Sequence, residues 1–150
     1  QGLPLAQNDL GLMYDIGQGV TQDSKQAVYW YIKAAEQGNA IAQYNLGRMY
    51  RAGKGVSKDY KQAVYWHKKA AEQGTAESQF QLGVMYYFGK GVIQDFVKSN
   101  MWFNISAYLG EPKAPRLIDI VSKEMTSQQI AEAQRMAREW VEKFEKRQKE

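Results

Sequence analysis

The chain has 150 residues, of which 44% are hydrophobic and 24% charged, with a net charge of +4 and no cysteine. This composition excludes extended disorder, disulfides, thiolate metal sites and cysteine nucleophiles, and no apolar run is long enough to insert in a membrane. Lysines and arginines alternate with acids rather than gathering on one stretch, which argues against a nucleic-acid partner.

From Leu5 to about Ile16, residues Ala6, Leu10, Met13, Tyr14 and Gly17 fall at steps of three and four, a spacing that lays one stripe along a helix (helix A). Gly11 sits at the edge of the stripe. A helical glycine costs about 1 kcal/mol relative to alanine, so its presence predicts the close passage of another helix. Gly17-Gln18-Gly19-Val20 supplies residues suited to a helix stop and turn, and Asp23, with Gln26 three positions on, predicts a capping box at the start of helix B. Helix B is expected to bury Ala27, Trp30, Tyr31 and Ala34.

The same features then return at a fixed offset of 36 residues. Leu10-Gly11 becomes Leu46-Gly47 and Leu82-Gly83; Tyr14 becomes Tyr50 and Tyr86; Asp23 becomes Asp59 and Asp95; Trp30 becomes Trp66 and Trp102. A period of this length marks a stack of helix pairs in which one unit cannot bury its apolar face alone. Asn39 and Thr75 begin short links that make successive helices antiparallel. The period divides a single domain, 1–150, into repeats at about 3–38, 39–74 and 75–110, followed by a degenerate capping unit at 111–150. Gln1-Gly2 lies one period before Gln37-Gly38, which predicts a cut through a longer parent, with another repeat or a signal peptide upstream. Weak self-association through that end is the corresponding expectation, since Leu3 and Leu5 would be left uncovered.

The third repeat drifts in its second half. Ser99, Ser106 and Ala107 stand where the second copy has Ala63, Ala70 and Ala71, and Tyr108-Leu109 replaces Glu72-Gln73; the added apolar surface predicts cover from the C-terminal region. After Pro112 and Pro115, Ala114, Ile118 and Val121 keep the spacing of a degenerate helix A. Thr126 with Gln129, or Ser127 with Gln128, offers a cap for a last helix through about Lys146, striped by Ile130, Ala133, Ala137, Trp140, Val141 and Phe144. The tail KRQKE, residues 146–150, is expected to fray.

The second copy, AIAQYNLGRMYRAGKGVSKDYKQAVYWHKKAAEQG from Ala40 to Gly74, resembles the Sel-1-like repeat family (SLR), relatives of the tetratricopeptide repeats. The resemblance extends from about Leu5 to Gly110, and the closing MTSQQIAEAQRMAREW is similar to the end of many bacterial members. It implies an all-α, right-handed superhelical solenoid of antiparallel helix pairs and an adaptor role toward proteins. It also slightly favours a periplasmic or secreted location over a cytoplasmic one. A cysteine-rich branch of the family carries a disulfide in each repeat; this chain departs from it, and the drug binding of that branch is not carried over.

No catalytic, cofactor or metal motif accompanies the repeats. His67, the single histidine, stands where the other copies have Tyr31 and Phe103 and reads as a partly buried aromatic substitute. Gly53-Lys54-Gly55 and Gly89-Lys90-Gly91 lack the P-loop pattern and read as turns. The informative positions are those that differ between copies on helix A: Asn8, Leu12 and Asp15; Tyr44, Arg48 and Arg51; Phe80, Val84 and Tyr87. Their spacing puts them on one helical face. In the related repeats helix A lines the concave side, so these residues are assigned to a groove that binds a protein or peptide. The competing reading covers Phe80, Val84 and Tyr87 with the C-terminal helix and leaves the others merely solvated. A non-enzymatic scaffold is expected, with two alternatives: an inhibitor or immunity protein that blocks a specific enzyme, and a spacer module of a longer repeat protein.

Overall fold

The structure is a computed structural model that describes residues 2–150. Gln1, paired by the period with Gln37, lies outside the described residues. The elements are α1 (Gly2–Ile16), α2 (Ser24–Glu36), α3 (Ala40–Ala52), α4 (Tyr60–Glu72), α5 (Ala76–Phe88), α6 (Phe96–Tyr108), α7 (Ala114–Ser122) and α8 (Ser127–Lys149), with no strand among the described residues. They form two compact units, Gln1–Ala70 and Ala71–Glu150.

The turn after each A helix follows from its glycines. Gly53 adopts φ 68° and donates its N–H to the Met49 carbonyl, which Lys54 N–H also reaches at 3.1 Å. A β-carbon on Gly55 would lie 2.2 Å from the Ser24 carbonyl oxygen, so this second glycine is required both by φ 73° and by the start of α2. Asp59 then caps α4, its Oδ1 accepting from the N–H groups of Lys61 and Gln62 at 2.9 and 3.1 Å. Its own N–H donates to the Tyr50 carbonyl at 3.0 Å, and Asp23 and Asp95 donate likewise to Tyr14 and Tyr86. That bond takes the role a returning Gln26 or Gln62 side chain would play in a capping box. It explains why Lys98 can occupy the corresponding position after Asp95.

In the first unit, Ala27, Val28, Tyr31, Ala34 and Ala35 of α2 pack with Ala42, Leu46 and Met49 of α3 and Trp66 of α4. The recurring helical glycines are explained by rings. A β-carbon on Gly11 would come within 2.7 Å of Tyr31, and one on Gly47 within 2.7 Å of His67. Trp30 corrects the sequence expectation: it is half-buried, whereas Trp66 is buried in a cluster with residues of α2 and α3. The stripe of α1 shows the same difference, with Ala6 exposed and Leu10 half-buried where Leu46 is fully buried.

In the second unit, α6 is enclosed by α5, α7 and α8. The serines of the drifted third copy are buried and satisfied: Ser99 Oγ donates to the Gly83 carbonyl at 2.7 Å and Ser106 Oγ to the Ala76 carbonyl at 2.8 Å. Phe103 lies against Gly83, where a β-carbon would meet it at 2.6 Å. The expected cover is α8. Trp140 meets Trp102 edge to face with centroids 6.0 Å apart and stacks on Phe144 at 5.1 Å. Pro115 stands in the first turn of α7, and Thr126 with Gln129 forms the capping box that starts α8. That helix continues to Lys149, so the tail expected to fray is helical.

Candidate functional site

The first unit gathers six of the nine variable residues. On α1, Leu12 is exposed, but Asn8 and Asp15 are each only 5% exposed, which the sequence did not indicate. Asn8 Oδ1 accepts from Asn45 Nδ2 of α3 at 3.3 Å, and Asn45 Oδ1 accepts a long 3.4 Å bond from an Arg48 Nη. The Asp15 carboxylate accepts a short bond from the Lys54 ammonium, while its backbone carbonyl accepts from Gln22 Nε2 at 2.7 Å. The lysine of the Gly53-Lys54-Gly55 turn is thereby engaged with a carboxylate of the preceding repeat.

On α3, Tyr44 is half-buried and Arg48 and Arg51 are exposed. The Arg48 guanidinium stands 5.8 Å from the Tyr44 ring centroid. Neither arginine meets a carboxylate among the described residues. Behind them, His67 is fully buried rather than partly so, with its ring centroid 5.9 Å from that of Tyr44. Burial first, and then the charges of Arg51 and Arg48, lower its pKa to about 3, so the imidazole is neutral at physiological pH. Tyr31 is fully buried, and its hydroxyl has no hydrogen-bond partner in the structure. Burial, reinforced by Asp15 and opposed by Arg48, raises its pKa to about 12.

The second unit holds the other three residues, all half-buried. The Phe80 ring lies 5.4 Å from Phe103, and Tyr87 lies 4.9 Å from Phe88 and 5.5 Å from Phe96. Val84 and Tyr87 join Phe88, Phe103, Leu117, Ile120 and Val121 around an open apolar groove of about 340 Å³. Its far wall is α7. The C-terminal helix α8 instead packs on α6, so it does not line this groove.

Asn45, Lys54, Tyr31 and His67 were not among the positions picked from helix A. Tyr31 and His67 had a signal in the sequence, because Tyr, His and Phe alternate at one position between otherwise similar copies. No group of three or more histidine, cysteine or acidic side chains among the described residues could hold a metal ion, and no helix is long and apolar enough to cross a membrane.

Three consecutive segments, 4–39, 40–75 and 76–111, match the Sel1 repeat. The chain belongs to the Sel1-like repeat family. A Sel1 repeat protein from Oxalobacter formigenes is 40% identical, with a TM-score of 0.76 over 78% of this chain and 48% of its own. The c5321 protein, a protective antigen present in uropathogenic Escherichia coli strains and displaying an SLR fold, is 32% identical, with a TM-score of 0.67 over 94% of this chain and 38% of its own. The chain therefore spans less than half the length of either protein. Helicobacter pylori cysteine rich protein B is similar in fold, with a TM-score of 0.63 at 24% identity over 77% of this chain and 94% of its own. No curated protein matches. These similarities show the all-α helix-pair solenoid class. Sel1-like repeats are in general non-catalytic scaffolds for protein interaction.

Proposed function

We propose that this Sel1-like repeat chain is a non-enzymatic scaffold that holds a protein or peptide on the variable face of its A helices. The observation that carries this reading is a division of labour along each repeat. Positions that recur, such as Gly47, Leu46 and Asp59, are used in packing and caps, whereas Arg48, Arg51 and Leu12 change between copies and reach solvent. Tyrosine and arginine at such positions are the residue types that concentrate binding energy in interfaces.

Selection of peptides from a random display library tests the proposal, followed by affinity measurements on the wild type, Arg48→Glu/Arg51→Glu and Val84→Glu/Tyr87→Glu. At least one double variant should lose about tenfold or more in affinity while keeping its melting temperature. Selected peptides that bind both variants as well as the wild type, or an empty selection, would refute it.

A further inference from the structure

The chemistry of the first unit's α3 face supports a narrower statement, which rests on the scaffold reading. Arg48 and Arg51 are one helical turn apart, both exposed, and neither is neutralised among the described residues. The acid that shares the neighbourhood of Tyr31 with Arg48, Asp15, is already held by the Lys54 ammonium and is almost wholly buried. No carboxylate among the described residues forms an ion pair with either arginine. The residues beneath them are a buried imidazole, a buried phenol whose hydroxyl lacks an acceptor, and the amide of Asn45, already used between Asn8 and Arg48.

Two guanidinium forks over an uncharged floor complement an anion, and their planar geometry suits a carboxylate held by paired N–H bonds. Tyr44 supports the Arg48 guanidinium from one side. A nucleic acid would be expected to meet a longer basic stripe, whereas α3 carries these two cations alone. We propose that Arg48 and Arg51 form an acid-recognition site that takes the side-chain carboxylates of an acidic peptide segment, with Tyr44 flanking its aliphatic stems.

His67, the single histidine of the chain, reports on this site from below. The test titrates the full chain with N-acetylated, C-amidated hexaglutamate and with the matching hexaglutamine, following the His67 imidazole resonances by NMR and affinity by calorimetry. Hexaglutamate should shift those resonances and bind at least about tenfold more tightly than hexaglutamine, with affinity falling as salt is raised. Arg48→Glu/Arg51→Glu should remove the difference. Arg48→Lys/Arg51→Lys, which keeps the charge without the fork, should retain part of it. Freeing the peptide's C-terminal carboxyl should leave affinity unchanged.

Equal binding of the two peptides, binding that requires the free C-terminus, or equally tight binding of an oligothymidylate would overturn the proposal. If display-selected peptides still bind while hexaglutamate shows no preference, the acid site alone fails. If no peptide of any kind binds, the scaffold reading fails with it.

Discussion

Acidification should weaken the folded chain through His67, and the size of the effect follows from its burial. In the unfolded chain the imidazole titrates near 6.5, while the folded environment lowers its pKa to about 3. Between those values the unfolded state binds a proton that the folded state refuses. The stabilisation is therefore complete above about pH 6.5 and is lost as pH falls from there toward 3. At pH 5 the unfolded state gains about 2 kcal/mol, from RT ln(1 + 10^1.5). The figure is set by the unfolded value, because any folded pKa below about 4 leaves the imidazole neutral at pH 5. Urea unfolding from pH 8 to pH 5 should show this loss in the wild type beyond that of His67→Phe, the residue seen in the equivalent place as Phe103 under Gly83. Only the pH slope is compared, since the substitution also changes absolute stability. Parallel profiles for the two proteins, or an imidazole seen by NMR to titrate near 6.5, would refute the reasoning.

Gly47→Ala gains about 1 kcal/mol in helix propensity but places its β-carbon 2.7 Å from His67, so a net destabilisation of about 1–3 kcal/mol is expected in urea unfolding. Gly2→Ala, with nothing within 4 Å of the new β-carbon, should not destabilise. Trp66→Ala should cost about 3–5 kcal/mol, and Trp30→Ala clearly less because that ring is half-buried; equal losses would contradict the packing. Asp59→Ala should cost about 1 kcal/mol through its lost cap. Gln62→Ala should change stability by less than about 0.5 kcal/mol, because the Asp59 N–H is already bonded to the Tyr50 carbonyl, and paired melts of the two variants read the contrast.

Sequence alone was sufficient for the order of the helices, their glycine turns and their aspartate N-caps, because those features are local and occur three times. Gly53 with its positive φ, Asp59 at the start of α4 and Thr126 at the start of α8 each act through neighbours a few residues away. A residue's partners in other helices have no such short-range mark. The bond between Lys54 and Asp15 joins positions 39 residues apart, and Asn45 reaches Asn8 across 37. Both interactions bury polar groups that the pattern on α1 places on an open face. Tertiary packing alone decided that Trp30 is half-buried while Trp66 is buried, since burial of each ring depends on whether another helix pair lies against it. It also set His67 beneath two arginines that meet no carboxylate among the described residues, because a ring's electrostatic surroundings come from helices the ring's own sequence neighbours do not specify.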